Sequence, residues 1–250
     1  MNNKTLNIEN ISKRYTDKVG YNINLLKDIS LTINPNEFTT ILAPVGSGKS
    51  SLLKIISDLD QPTEGIISVK FSNIVFIPSK PSSFPWLNVR DNIKFSSKFD
   101  SDKIQEIINL VELHGYEDHY PNNKSEGFRF RISLARALAN DPNMIVIDEP
   151  FNNLNTSTRK EIYQLVRKVS KETNIPFLMG TTNITEAIFL SDKIYLMKKN
   201  PGEIIDQLNI DLPSDRKNEI MQTADFIKIR TTIENIFKEK TDRQLYNFSI

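Results

Sequence analysis

The segment VGSGKSS at 45–51 constrains this chain more than any other. It follows FTTILAP, a β-rich run ending at Pro44. After it come Leu52, Leu53, Ile55, Ile56 and Leu59 at the three-to-four spacing of a helix. A strand that turns through small residues into a helix leaves successive backbone N–H groups facing one concave loop, and the helix N-terminus adds its dipole. Such a loop is suited to phosphate. Val45, Gly46, Ser47, Gly48 and Ser51 shape the cradle, Lys49 reaches the β- and γ-phosphates, and Ser50 offers its hydroxyl to Mg²⁺. The strict pattern G-x-x-x-x-G-K-[ST] fails at its first position, Ala43. Gly46 and Gly48 remain where the backbone must approach closely. An ordinary glycine turn capping a helix is the rival reading, and the strand on its N-terminal side argues against it.

A second segment supplies what the loop lacks. MIVIDEP at 144–150 is an apolar strand ending in two carboxylates. Delivered beside a phosphate loop, Asp148 gives a second hold on Mg²⁺, directly or through water. Glu149 is then the candidate catalytic residue, a general base for the attacking water. The expected cofactors are ATP and Mg²⁺.

Composition narrows the class. Lys plus Arg is 32 and Asp plus Glu is 31, so no charge imbalance points to nucleic acid, and none is expected as a partner. The absence of cysteine excludes disulfides and thiolate–zinc sites and suits a cytoplasmic protein. The start, MNNKTLNIEN, lacks the apolar core of a secretory signal. No apolar run approaches the roughly 20 residues that span a bilayer, so any membrane process needs other chains to cross.

Along the chain, LLKDISLTI alternates as a strand before the turn NPNE, and GIISVKF and NIVFIPS are further strand candidates. The pattern is mainly helical from about 87 to 140, with a break at HGYEDHYPNN. Strand and helix then alternate: MIVID, a helix over 156–171, IPFLMGT, ITEAIFLSD and KIYLM. That alternation predicts parallel strands in an α/β core. The tail over 213–250 is charged and reads as helical near 218–238, with KEKTDR at 238–243 a solvated helix end.

These segments, in this order, resemble the ATP-binding cassette (ABC) family over nearly the whole chain. RISLARALANDP at 131–142 is similar to the helix after the family signature. FPWLNVRDNI at 84–93 resembles the stretch after the Q-loop, FNNLNTSTR at 151–159 occupies the D-loop position, and ITEAIFLSDKIYLM at 184–197 follows the switch-histidine position. Tyr15 lies where the family stacks an aromatic ring on adenine, and LPSDR at 212–216 is similar to importers of nitrate, sulfonate or taurine type. The resemblance implies an α/β P-loop NTPase fold: a single ABC domain over 1–250 with a parallel-sheet core, an N-terminal antiparallel β-subdomain and a helical subdomain at about 80–140. It also implies a second cassette, as homo- or heterodimer, with Ser125 and Gly127 of one chain touching the γ-phosphate of the other. A transmembrane permease docking near 80–95, a substrate-binding protein, and a place on the inner face of the cell membrane are implied as well.

Departures from the family pattern cluster at chemistry. The signature LSGGQ is KSEGF at 124–128, with Glu126 in place of a glycine and Phe128 in place of a polar residue. A carboxylate about 5 Å from a γ-phosphate costs on the order of 3 kcal/mol per charge pair at an effective ε of about 20. Lys124 is the expected local counter-charge. The switch histidine is Thr182, the Q-loop glutamine Ser79 or Lys80, and the D-loop aspartate Asn155. The expectation is an ATP-binding subunit coupling slow ATP hydrolysis to transport. The alternative is a non-hydrolysing regulatory or structural subunit paired with an active cassette. Trp86 reads either as an apolar knob for the membrane subunit or as core of the helical region.

Overall fold

The computed structural model describes residues 5–16, 20–68, 72–80, 82–95, 97–122 and 124–240. The chain begins with a three-stranded antiparallel sheet in the order β2-β1-β4, made of β1 (Leu6–Thr16), β2 (Asn22–Ile33) and β4 (Glu64–Ser68). Ile29, Leu31 and Ile33 turn one face of β2 inward, as the alternation of ISLTI requires, and a register shift at Asp28, φ 48, lets Leu26 be buried with them.

The second sheet has six strands: β3 (Phe38–Leu42), β5 (Ile74–Ile77), β6 (Met144–Asp148), β7 (Phe177–Thr181), β8 (Lys193–Lys198) and β9 (Glu203–Asn209). Their order is β5-β6-β7-β3-β8-β9, parallel except for β9, which runs antiparallel at the edge. β3, β6 and β7 are buried at every position, which explains the lack of polar alternation along them, although β3 also buries Thr39 and Thr40. The α/β expectation with parallel core and antiparallel N-terminal sheet is met.

Between the sheets lies α1 (Lys49–Ile56), with Leu52 and Leu53 in the apolar cluster that Ile8, Ile29, Ile41 and Leu178 share. The helix is shorter than the periodicity suggests. Asp58 adopts φ 59 just past the end, and Leu59 is left exposed. Between β5 and β6 the chain forms α2 (Val89–Lys94), α3 (Ser101–Leu110) and α4 (Glu126–Leu138). Two further helices, α5 (Thr156–Thr173) and α6 (Ile184–Leu190), cover the larger cluster around Phe38, Phe130, Phe151 and Phe177.

The chain then makes a 3₁₀ turn (Asn218–Gln222) and α7 (Ala224–Lys240), which buries Phe226, Ile233 and Phe237 in the same cluster. Arg167 and Arg216 fasten this last segment. Both are buried, both donate to the final carbonyls of α6, and Arg167 pairs with Asp192 at 2.8 Å. The remainder of the expected tail, 241–250, lies outside the described residues. Among the described residues no helix is long and apolar enough to cross a membrane.

Candidate functional site

Helix starts leave unpaired N–H groups, and in this chain they are handled in two ways. Asn88, Asp100, Ser125, Asn155 and Asn183 each cap a helix, α2 to α6 in turn, by accepting a hydrogen bond from a first-turn N–H. α1 instead starts at Gly48, which has no side chain, and only the Ser47 hydroxyl lies 3.4 Å from the Lys49 N–H. Gly48 sits at φ 86, and a Cβ there would lie 2.8 Å from Leu26 Cδ2. Conformation and packing both demand glycine at this point. The first position of the loop, Ala43, has no such requirement: it is buried, and its N–H donates to the Thr181 carbonyl. Val45 and Gly46 form the exposed rim, and Ser50 and Ser51 stand half-buried in the first turn of α1.

Lys49 is 5% exposed and forms an ion pair with Glu149. Its stem passes over Gly180 of β7, where a Cβ would come within 2.9 Å of Lys49 Cγ. Gly180 is therefore a residue the motif search missed, although a lone glycine inside an apolar strand is the signal of such an approach.

Asp148 ends β6 with Ser50 and the Lys49 ammonium as neighbours. Burial pushes its carboxyl up, while Ser50 and the Lys49 charge pull it down. Its Oδ1 is buried without a hydrogen-bond partner among the described residues. A bare carboxylate oxygen beside a serine hydroxyl is a fitting donor set for a hard divalent cation. No cluster of three or more His, Asp or Glu able to hold a metal occurs among the described residues, so phosphate oxygens and water would have to complete the coordination.

Glu149 follows at φ 43, an uncommon conformation for a non-glycine residue, with its N–H donating to the Gly180 carbonyl at 2.9 Å. Its Oε2 accepts from Asn152 Nδ2 at 2.6 Å. Sequence reading passed over Asn152, because no motif position asks for an amide there.

Lys49, Ser50, Asp148 and Glu149 thus converge, whereas the other candidates have local partners. Tyr15, 43% exposed on β1, donates its hydroxyl to Asp60 at 3.2 Å and has the Lys13 ammonium 5.1 Å from its ring centre. Ser125 Oγ accepts from the Phe128 N–H at 3.2 Å. Gly127 is buried, and a Cβ there would meet Thr158 Cγ2 at 2.5 Å, so any larger residue forces Thr158 on α5 to give way. The counter-charge expected at Lys124 is found elsewhere. The Lys124 ammonium sits 5.6 Å from the Phe128 ring centre, and Arg129, one helical turn along, lies 3.8 Å from the Glu126 carboxylate.

Thr182 is buried in the turn after β7. Next to it, the Thr181 hydroxyl donates to Glu186 at 2.5 Å, and Tyr163 donates to the other oxygen at 2.8 Å. Ser79 and Lys80 are exposed. Trp86 is 70% exposed with its ring 5.3 Å from Phe84, which settles its two readings against core packing. The loop beneath it is held by buried Asn92, bonded to Phe84 N–H and to the carbonyls of Phe84, Leu87 and Asn88.

An uncapped helix start after a central parallel strand, with a carboxylate pair at the end of the next strand but one, defines a P-loop nucleotide-binding protein. A family model described as ABC transporter matches residues 26–152. The aliphatic sulfonates import ATP-binding protein SsuB of a Bacillus cereus strain is 33% identical over 245 residues, covering 94% of this chain and 96% of that one. An uncharacterized ABC transporter ATP-binding protein of Methanocaldococcus jannaschii is 31% identical, covering 96% and 94%. Among solved structures, a dimeric ATP-binding cassette bound to ADP and Pi matches with a TM-score of 0.70 at 28% identity, over 83% of this chain and all of that one. A cassette from Clostridium perfringens, part of a cbiONQ transporter complex, shares the fold with a TM-score of 0.73 at 22% identity, over 92% and 98% of the two chains. The chain belongs to the ABC transporter family, as one of its ATP-binding subunits.

Proposed function

We propose that this chain is the ATP-binding subunit of an importer of the sulfonate type, working as a cassette dimer beneath a separate permease and hydrolysing ATP slowly. The observation that carries the reading is the convergence of Lys49, Ser50, Asp148 and Glu149 at the uncapped start of α1. Residues 45–51 cradle the phosphates, Lys49 neutralises them, and Tyr15 presents a ring to the base. Ser50 and Asp148 are the residues that hold Mg²⁺, and Glu149 is the base. Mg²⁺, when bound, supplies charge neutralisation at the β- and γ-phosphates. Ser125 and Gly127 face the partner cassette, weakened there by the Glu126 carboxylate.

Import of aliphatic sulfonates is what the names of several relatives state, and it supports an importer with a substrate-binding protein and a place on the inner face of the membrane. The exposed Trp86, on a loop braced by Asn92, supports docking to the permease near 80–95. Slow turnover is supported by Thr182, Glu126, Ser79 and Asn155 at positions where the family pattern has histidine, glycine, glutamine and aspartate. The test is steady-state MgATP hydrolysis by the purified chain beside Glu149→Gln and Lys49→Ala. Low turnover that vanishes in both variants is expected. Turnover at the family's usual pace by the isolated homodimer would overturn the slow-hydrolysis part.

A further inference from the structure

Both carboxylate oxygens of Glu149 are already engaged. Oε1 pairs with the Lys49 ammonium, and Oε2 accepts from the Asn152 amide at 2.6 Å. The turn that carries Asn152 is firmly anchored. The Leu154 N–H closes it on the Phe151 carbonyl at 3.1 Å, and the fully buried Phe151 ring lies 5.4 Å from Phe130 and 5.2 Å from Tyr163. On the other side, Glu149 is held at a left-handed φ by its bond to Gly180, a conformation that persists only where the surroundings over-determine it. Lys49 has little freedom either, with its stem pressed on Gly180 and its ammonium nearly buried. Charge-assisted bonds of this kind are among the stronger ones in proteins.

We propose that Asn152 is a positioning residue that clamps Glu149 against Lys49 as an internal anion, so that this carboxylate competes with nucleotide phosphate for the lysine. The inference rests on reading the loop as the ATP site. With the clamp intact, a β-phosphate must displace a carboxylate whose orientation is fixed at both oxygens. With Asn152 removed, the carboxylate rotates toward solvent and opposes the phosphate less. When phosphate takes the lysine, Oε1 is the oxygen released, and Asn152 keeps its hold on Oε2.

The experiment is ADP affinity without added divalent cation, by titration calorimetry on the full chain. ADP carries no γ-phosphate and so leaves the partner signature out of the comparison. Wild type, Asn152→Ala, Asn152→Ser, Glu149→Gln, the Asn152→Ala/Glu149→Gln double variant and Lys49→Ala are measured side by side. Asn152 is exposed, so its replacement leaves the fold intact. Asn152→Ala is expected to tighten ADP about fivefold and Glu149→Gln about tenfold, as loss of one charge-assisted contact to a competing anion should. Asn152→Ser, which keeps a short donor, falls between wild type and Asn152→Ala. The double variant binds no tighter than Glu149→Gln alone, because both changes act through one carboxylate. Unchanged or weaker binding in Asn152→Ala, with Lys49→Ala still losing ADP, overturns the clamp and leaves the site standing. Additive tightening in the double variant overturns it too. ADP binding that survives Lys49→Ala unaltered, or is absent throughout, overturns the site reading itself.

Discussion

Glu126 and Gly127 are neighbours in the first turn of α4, yet one departs from the family signature and the other keeps it. Gly127 is packed against Thr158 with no room for a methyl group, so the helix pair itself specifies it. Glu126 points outward toward Arg129 and nothing inside the chain dictates its identity. The same contrast holds between the two halves of the composite site. Lys49, Asp148 and Gly180 are buried among β3, β6, β7 and α1, where packing and chemistry ask for the same residue. Ser79 is exposed and answers only to what it would meet from outside, while Asn155, also exposed, has an internal task in capping α5 that an aspartate would serve as well. Thr182 is the exception: it is buried, but its turn is held by Thr181, Asn183 and Glu186, so the fold tolerates the loss of a histidine there.

Breaking the phosphate half should produce the largest effect. Lys49→Ala is expected to weaken ATP at least about 100-fold, some 2.7 kcal/mol, in a fluorescent-nucleotide titration. Repairing the outward-facing half comes next. Glu126→Gly with Thr182→His should raise MgATP turnover about 30-fold, roughly 2 kcal/mol of barrier, and no gain would mean that the departures are not what limits the rate. Gly127→Ala should cost about 1.5 kcal/mol of stability in urea melts, with Thr158→Ala recovering most of it.

Smaller still is Glu186. Burial pushes its carboxyl up, against the pull of the Thr181 and Tyr163 hydroxyls and of Arg159, while Glu149 adds to the push. Its folded value lies above the ordinary 4.5, so the folded state takes up the proton and stability falls as pH rises between those values. Glu186→Gln should remove that fall, matching wild type near pH 4 and exceeding it near pH 8 in urea melts. Trp86→Ala should change stability by less than about 0.5 kcal/mol, as for an exposed side chain, while weakening capture of the permease.

Much of this was legible because the period of the pattern matches the burial. β6 and β7 are largely apolar since both faces are covered, and α4 follows a residue that caps it. β9 does not announce itself: EIIDQLN is half-buried along most of its length and alternates only weakly. At the site, the residues that touch phosphate and Mg²⁺ sit at fixed offsets within motifs and can be read directly. Gly180 and the Glu186–Tyr163 pair act across elements brought together only by the fold, and Tyr163 and Glu186 are 23 positions apart. Local spacing holds no record of such contacts. Trp86 was ambiguous for a related reason, since an apolar residue in a loop has no periodicity to say which way it faces.

The position of β3 also bears on the order in which the chain can be assembled. This strand, over 38–42, is made early during synthesis but lies between β7 and β8, whose residues end at 181 and 198. The bond from the Phe38 N–H to Asp192 spans 154 positions. The phosphate loop follows β3 directly, so it has no rigid base until the residues up to about 198 have left the ribosome. Pairings this distant are slow to close and leave strand edges open meanwhile. A nascent chain halted before residue 177 would carry the whole phosphate-binding sequence and still lack both strands that flank β3 in the finished sheet.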